Sequence, residues 1–518
     1  MNTVPCNASD PDSALTLAQK VDRYRQEHAD HWDRIAQETE KTGPGLGAYY
    51  HQRLGDVYRL LIPENKRVLE LGSGRGDLLA HLQPSVGVGV DFSPQMIALA
   101  KARHPSLTWM CADAHVSSWV EELAREEPGT FDFVIVSDLV NELYDVQQVL
   151  EQIRPLCGTH TRIICNTYSR LWELPLELAS KMKLARPMLR QNWLTVSDTA
   201  NLLHLAGFET LRSWQEVLWP VRTPGLDTLC NRFLVNLWPM RHLAMSNFLI
   251  ARPSLASDQE MTGHRGTCEK TSQGEGEPVV SVIVAARNEA GNIEQIIERT
   301  PQMGAGTELI FVEGGSHDQT YEAIEQAIVR HPDWGAGGIQ LMRQDGKGKG
   351  DAVRKGFAHA TGGVLMILDA DMTVPPEDLP RFYHALRSGA GEYINGVRLV
   401  YPMEDQAMRF FNLLGNKFFS LAFSWLLGQP IKDTLCGTKV MTADNYRQLA
   451  ANRHYFGDFD PFGDFDLIFG AAKMNLKMVD LPIRYQARTY GTTNIARWRS
   501  GVILLRMTLY AARRLKFV

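Results

Sequence analysis

Apolar residues along this chain gather into two successive series of short runs, each run followed by a stretch whose apolar positions recur with helical spacing. In the first series the runs fall at 67–71, 87–90, 108–110, 133–137 and 161–166, and in the second at 279–285, 308–312, 340–343 and 364–368. Such alternation predicts a parallel sheet wrapped by helices, and here it predicts one twice. Ahead of the first series, residues 10–43 are charged and helix-prone. The breaker-rich Gly43-Pro44-Gly45-Leu46-Gly47 follows, and 49–61 then reads as an amphipathic helix. Between the two series, 254–278 is rich in Ser, Thr, Gly and charge and nearly devoid of large apolar residues, which marks a linker. The expected organisation is a helical extension over 1–45, a first α/β domain over 46–252, a linker over 253–278 and a second α/β domain over 279–518. No repeat of fixed period is visible.

Composition narrows the class without choosing the chemistry. A chain of 518 residues that is 44% hydrophobic has material for two or three cores. A formal net charge of −5 is small for that size and argues against a protein built to coat nucleic acid. The seven cysteines are odd in number and form no C-x-x-C pair, so a reducing, cytoplasmic setting is expected. Residues 1–12 lack the order of a signal peptide, and no uninterrupted apolar run reaches the roughly 18 residues of a membrane span. The expectation is a soluble or peripheral protein.

The first apolar run ends in Val68-Leu69-Glu70-Leu71-Gly72-Ser73-Gly74-Arg75-Gly76 and passes into the helix-like 77–81. Glycines at the carboxyl end of a first strand let a ligand approach the backbone, since a Cβ would block it. The spacing is G-x-G-x-G, which departs from the G-x-G-x-x-G of dinucleotide binders. Asp91 ends the next run, where a carboxylate can accept from two ribose hydroxyls, and Asp113 ends the third, within reach of an adenine amino group. Together these residues resemble the class I S-adenosylmethionine-dependent methyltransferases over roughly 46–252. The resemblance implies that Glu70, Gly72, Gly74 and Gly76 surround the methionine part of the cofactor, with Asp91 on its ribose and Asp113 near adenine. After the fourth run, Asp138, Asn141 and Glu142 reach the same rim, with Asp138 counted among the cofactor-site residues. Tyr49, Tyr50 and His51 could close the pocket from the preceding helix. A helix cap or a packed aromatic is the equal alternative for each of these.

In the second domain, 280–285 runs into Ala286-Arg287-Asn288-Glu289, and the next strand ends in Glu313-Gly314-Gly315-Ser316. Ala285, Arg287, Asn288, Glu289 and Glu313 are the expected nucleotide contacts. Ser316, Asp318 and Thr320 read equally as caps of the following helix. The cationic loop Gly346-Lys347-Gly348-Lys349-Gly350 suits phosphates, with Lys349 foremost. Its successor, Val364-Leu365-Met366-Ile367-Leu368-Asp369-Ala370-Asp371, sets two carboxylates at a strand end, where they can hold Mg2+ or Mn2+ across a diphosphate.

This order resembles the family 2 glycosyltransferases with an A-type nucleotide-sugar fold, and most closely the polyprenyl-phosphate sugar synthases such as the dolichyl-phosphate mannose synthases. The match takes in Asn395-Gly396-Val397-Arg398, Lys432-Asp433-Thr434-Leu435-Cys436-Gly437-Thr438-Lys439 and Leu481-Pro482-Ile483-Arg484-Tyr485, with Arg488 and Gly491-Thr492-Thr493-Asn494 beyond. Two positions depart from the pattern: Glu313 replaces the usual aspartate, and Thr373 stands where the mannose synthases tend to carry a metal-binding glutamine. A lipid-phosphate acceptor is already an anionic nucleophile that needs cations, for which Arg398 and Arg488 are the candidates. A hydroxyl acceptor needs a base, for which Asp464 and Asp466 are the candidates. The aromatic stretch 409–427 and the basic, apolar 502–518 read either as membrane-surface helices or as core packing.

The expected function is therefore a fused methyltransferase and inverting glycosyltransferase, cytoplasmic and either soluble or peripheral on the inner face of a membrane. It would take a nucleotide-diphosphate sugar and S-adenosylmethionine, with a lipid phosphate as sugar acceptor. The alternatives are transfer to a hydroxyl of a natural product, glycan or protein, and a scaffold in which one domain only binds ligand.

Overall fold

A computed structural model of the chain describes residues 17–42, 47–182, 189, 191–254, 276–335, 337–398, 410–453, 463, 465–483, 486, 488, 490 and 497–517. It divides into two compact units, Met1–Thr262 and Gly263–Val518.

The first unit holds a seven-stranded sheet in the order β3-β2-β1-β4-β5-β7-β6. The strands are β1 (Arg67–Leu71), β2 (Val86–Asp91), β3 (Thr108–Cys111), β4 (Phe131–Ser137), β5 (Cys157–Tyr168), β6 (Phe208–Glu216) and β7 (Ser246–Pro253). β1 pairs in parallel with both β2 and β4, so the strand order reverses there and a crevice opens beyond the carboxyl ends of β1 and β4. The central strands are near-continuous apolar runs because both faces are covered. Leu69, Leu71, Val134 and Val136 face one core. Val68, Ile135, Ile164 and Phe248 face the other, under Tyr50, Leu54 and Tyr58 of the helix Ala48–Leu61.

The second unit repeats the plan in the order β10-β9-β8-β11-β13-β12-β14. Its strands are β8 (Val280–Ala286), β9 (Thr307–Glu313), β10 (Ile339–Arg343), β11 (Val364–Asp369), β12 (Tyr393–Val397), β13 (Lys439–Thr442) and β14 (Met478–Pro482). β8 pairs in parallel with β9 and with β11, placing the reversal between β8 and β11.

Both sheets have the expected parallel centre and are mixed through added antiparallel strands. β7 runs antiparallel between β5 and β6, and β13 antiparallel between β11 and β12. The strands without a clear apolar run have physical reasons to lack one. β6 is a half-buried edge strand, β13 begins with the buried Lys439, and β14 is an edge strand carrying Asp480 and ending at Pro482. β7 continues through Pro253, one residue into the stretch read as linker.

Candidate active sites

At the end of β1 the backbone of Gly72, Gly74 and Gly76 turns left-handed, with φ of +69°, +50° and +76°. A Cβ on Gly74 would meet nothing within 4 Å, so this turn faces open space. Asp91, at the end of β2, holds the turn in place. Its carboxylate accepts from the Gly74 amide at 2.8 Å and from the Ser93 amide at 2.9 Å. Burial pushes its pKa up to about 6 against those two hydrogen bonds. Glu70 is 3% exposed, and burial holds its carboxyl well above the usual carboxylate range. The glycines, Asp91 and Glu70 thus share one crevice.

The helix Leu17–Thr42 lies over this crevice and meets the loops beyond three strands. Asp33 accepts from Ser93 Oγ, Arg25 pairs with Asp113 at 2.7 Å, and Trp32 Nε1 donates to Glu142 at 2.7 Å. Asp113 also accepts from the His115 amide at 2.9 Å and ring at 2.8 Å. Although burial raises its pKa, the His115 hydrogen bonds and Arg25 outweigh that and lower it. Burial raises Glu142 to about 7.

Asp138, just past β4, gathers a second group of side chains. Its φ is +54°, a conformation that a non-glycine residue rarely adopts. Its carboxylate accepts from Tyr50 at 2.9 Å, from Tyr168 at 3.4 Å and from Asn166 Nδ2. Tyr50 also shares a 2.9 Å hydrogen bond with Ser246. Burial drives Asp138 up to about 7 despite three hydrogen bonds that favour the charged form. Asn141, fully buried, instead braces the backbone by donating to Asn192 O and accepting from the Tyr168 amide. Sequence reasoning found Tyr50 and Asp138 but missed Asn166, Tyr168 and Ser246. Their only signal was a place at the ends of β5, which pairs with β4, and of β7, which pairs with β5.

In the second unit the crevice lies past β8, β9 and β11. A cleft of about 290 Å3 is lined by Glu313, Ser316, Tyr321, Arg343 and Gln344 among others, and the Arg343 guanidinium lies 4.2 Å from the Tyr321 ring centroid. Ser316, Asp318 and Thr320 tie the β8 loop to the β9 loop. Ser316 Oγ accepts from the Asn288 amide at 3.0 Å, Thr320 Oγ1 from the Glu289 amide at 2.9 Å and Asp318 from the Ala290 amide at 3.3 Å. Ala285 is half-buried and Arg287 exposed at this rim.

Lys349, at the start of the helix Lys349–His359, reaches Asp369 at 2.5 Å. Burial raises the Asp369 pKa, but Lys349 and then Arg398 and Lys439 more than offset this and hold the carboxylate below its usual range. Asp371 pairs with Arg488 at 2.7 Å and accepts from Thr373 Oγ1 at 2.7 Å, while Arg488 also reaches Glu289 at 3.2 Å. Burial pushes Glu289 up to about 7 in spite of Arg488. Asn292 joins the two loops by donating to Glu289 at 2.8 Å and to Ala370 O at 3.1 Å.

Two family models match the chain, one over each unit: a methyltransferase domain over residues 47–213 and glycosyl transferase family 2 over residues 281–439. The chain carries a class I methyltransferase domain and a family 2 glycosyltransferase domain. It is similar to glycosyltransferase AglJ of Haloferax volcanii, with 28% identity over 227 residues that make up 43% of this chain and 69% of that protein. It is also similar to dolichol-phosphate mannosyltransferase of Pyrococcus furiosus, with 32% identity over 114 residues, or 21% of this chain and 31% of that one. The chain thus spans less than a third of that relative's length. Among solved structures, magnesium protoporphyrin IX methyltransferase from Synechocystis is 17% identical with a TM-score of 0.31, over 45% of this chain and 100% of that one.

The other expected residues of the glycosyltransferase domain are held in place by partners. Arg398 makes a two-pronged pair with Asp433, at 2.7 and 2.8 Å, so a role as a phosphate grip would require that pair to open. Asp466 is buried between Arg453 at 3.1 Å and Arg354 at 3.4 Å. Asp464, Arg484, Tyr485 and 491–494 lie outside the described residues. A Cβ on Gly437 would sit 2.0 Å from an Asp369 oxygen, so the loop before β13 rests directly on that carboxylate.

Both domains suit their expected small molecules. The open side of Gly74 and the buried acceptor Asp91 fit a nucleoside held against backbone. Among the described residues, no group of three or more His, Cys, Asp or Glu side chains is arranged to hold a metal ion. Asp369 and Asp371 supply two carboxylates, which suits a hard cation that takes its other oxygens from substrate phosphates.

Proposed function

We propose that the glycosyltransferase domain moves a sugar from a nucleotide-diphosphate sugar to a polyprenyl-type lipid phosphate, and that the methyltransferase domain uses S-adenosylmethionine on a substrate of the same pathway. The observation that carries the first half is the acidic pair Asp369 and Asp371 at the sheet reversal, each held by a cation, Lys349 and Arg488, in a domain whose β9 loop lines a cleft of about 290 Å3. Bound Mg2+ or Mn2+ would neutralise charge on the departing nucleotide diphosphate. Lys349 would then turn to the phosphates, and Glu313 to the ribose or base. Arg488 would be released from Asp371 and Glu289 to orient an anionic acceptor, which needs no base to attack. The similarity to an enzyme named for dolichol phosphate supports that acceptor class.

A peripheral membrane location is supported by two helices of this domain, Phe410–Leu427 and Arg497–Leu515. They expose Phe418, Leu421, Leu505 and Leu509 beside the exposed Arg506, Arg513 and Arg514. No helix among the described residues is long and apolar enough to cross a membrane. One observation favours a hydroxyl acceptor as second reading. A Cβ on Gly463 would meet Gly350 Cα at 2.4 Å, which brings the chain just before Asp464 and Asp466 against the start of the Lys349 helix.

In the methyltransferase domain, Glu70, the three glycines and Asp91 would hold the cofactor, with Asp113 at the adenine end once Arg25 and His115 yield. The bound cofactor supplies an electrophilic methyl group. Asp138, Tyr50 and Tyr168 would position the acceptor and take its proton. The test is sugar transfer from a panel of nucleotide sugars to a short polyprenyl phosphate with Mg2+ or Mn2+, comparing the parent with Asp371→Ala. Transfer by the parent that falls at least about 100-fold in the variant is expected. Donor hydrolysis without lipid product would transfer the proposal to a hydroxyl acceptor.

A further inference from the structure

The helix Glu173–Lys181 is apolar on two sides. Trp172 and Leu176 pack inward on the core of the first unit. Leu171, Leu174, Leu178 and Met182, spaced three or four apart and so along one stripe, point outward and are 59–74% exposed. A large stripe of this kind on a soluble domain marks a contact surface.

A second segment, between β6 and β7, adjoins it. Trp172 Nε1 donates to Leu243 O at 2.9 Å and the Ser169 amide to Met245 O at 2.7 Å, which binds the two segments together. Here Leu229, Phe233, Leu237 and Trp238 are exposed, Trp238 to 76%.

Charge identifies the occupant. The segment contributes Arg222, Arg232, Arg241 and His242, with the Arg232 guanidinium 5.9 Å from the Phe233 ring centroid. Its one acid, Asp227, is buried. On the helix, Glu177 is paired with Lys181 at 2.7 Å and Glu173 is half-buried. Leucines and an exposed tryptophan interleaved with arginines suit a surface with an apolar interior and anionic headgroups, whereas a protein partner would have to match each of these features separately.

The face also borders the acceptor side of the methyltransferase site. The exposed helix follows directly on Tyr168, and the second segment leads directly into Ser246. Tyr168 hydrogen-bonds to Asp138, and Ser246 to Tyr50. We infer that the methyltransferase domain docks by this face on an anionic lipid bilayer and takes as methyl acceptor the headgroup of an amphiphile anchored there. The second half of the inference rests on the methyltransferase reading proposed above.

The experiment uses the full chain and phosphatidylcholine vesicles with or without phosphatidylglycerol, some with brominated acyl chains. The parent is compared with Leu174→Glu/Leu178→Glu, with Trp238→Phe, and with Phe418→Glu/Leu421→Glu on the other domain. Brominated lipid should quench tryptophan fluorescence in the parent and distinctly less in Trp238→Phe. The Leu174→Glu/Leu178→Glu variant should partition onto anionic vesicles at least about tenfold more weakly while still binding S-adenosylmethionine in calorimetry, which shows that it is folded. Unchanged partitioning in that folded variant overturns the proposal, as does equal quenching of the parent and Trp238→Phe. Loss of a dimer in sedimentation with vesicle binding intact also overturns it, in favour of a second copy of the chain. A parent that docks through Trp238 but never binds S-adenosylmethionine retains the membrane face and removes the methyltransferase reading.

Discussion

Asp138 combines three properties that a passive side chain would lack: a left-handed backbone, a half-buried carboxylate raised to about 7, and contacts from Tyr50, Tyr168 and Asn166. A carboxyl poised near neutrality can take a proton from an acceptor at working pH. Methyl transfer should therefore rise with pH through about 7, and Asp138→Asn should lower kcat about 100-fold with little change in cofactor affinity. The stability effect has the opposite sign. A carboxyl whose folded pKa is raised binds its proton more tightly in the folded state, so its stabilisation is complete below the ordinary value of 3.8 and is lost as pH rises through about 7. Melting curves at about pH 5 and about pH 8 should show a larger fall in Tm for the parent than for Asp138→Asn. A larger fall in the variant would contradict the assignment. Residue chemistry was partly legible beforehand. Asp91 was read for its place at a strand end, and Tyr50 for its place on the preceding helix. Tyr168 and Ser246 were not read, because their relation to Asp138 exists only after β5 is laid beside β4 and β7 beside β5. Arg398 was legible as a cation within the stretch that resembles the family, but its two-pronged bond to Asp433, 35 positions away, belongs to the folded chain.

At the scale of elements, the helix Leu17–Thr42 packs over the loops that rim the methyltransferase crevice. Its charged, helix-prone sequence announced a helix, but the surface it covers is set by single contacts: Asp33 with Ser93, Arg25 with Asp113 and Trp32 with Glu142. Ile35 and Ala36 add a small apolar cluster with Met96. Trp32→Ala removes a hydrogen bond to Glu142, whose pKa burial raises to about 7, and part of that apolar cover. It should weaken S-adenosylmethionine binding about tenfold, chiefly through faster release. Stopped-flow binding of the cofactor checks this, and an unchanged release rate would mean that the helix does not cover the bound cofactor. The strands obey the same distinction. The parallel strands β1–β5 and β8–β11 advertised themselves as apolar runs, whereas β6, β13 and β14 carry polar or charged residues whose partners lie across the sheet, and the buried β7 and β12 went unread as well.

For the whole molecule, two sheets with the same kind of reversal hold two sites, and each unit exposes an apolar face studded with arginines. Docking of each domain on lipid, as proposed above, would give both reactions amphiphilic substrate, with no need for one active site to pass material to the other. The most direct measurement gives the full chain a panel of nucleotide sugars, a short polyprenyl phosphate, Mg2+ or Mn2+ and S-adenosylmethionine labelled in its methyl group, and follows the lipid by mass spectrometry. The account predicts a glycosylated lipid that Asp371→Ala cannot make, and label on a lipid-linked product that Asp91→Ala cannot introduce. Glycosylation of a soluble hydroxyl compound alone, with the label confined to that compound, would contradict it.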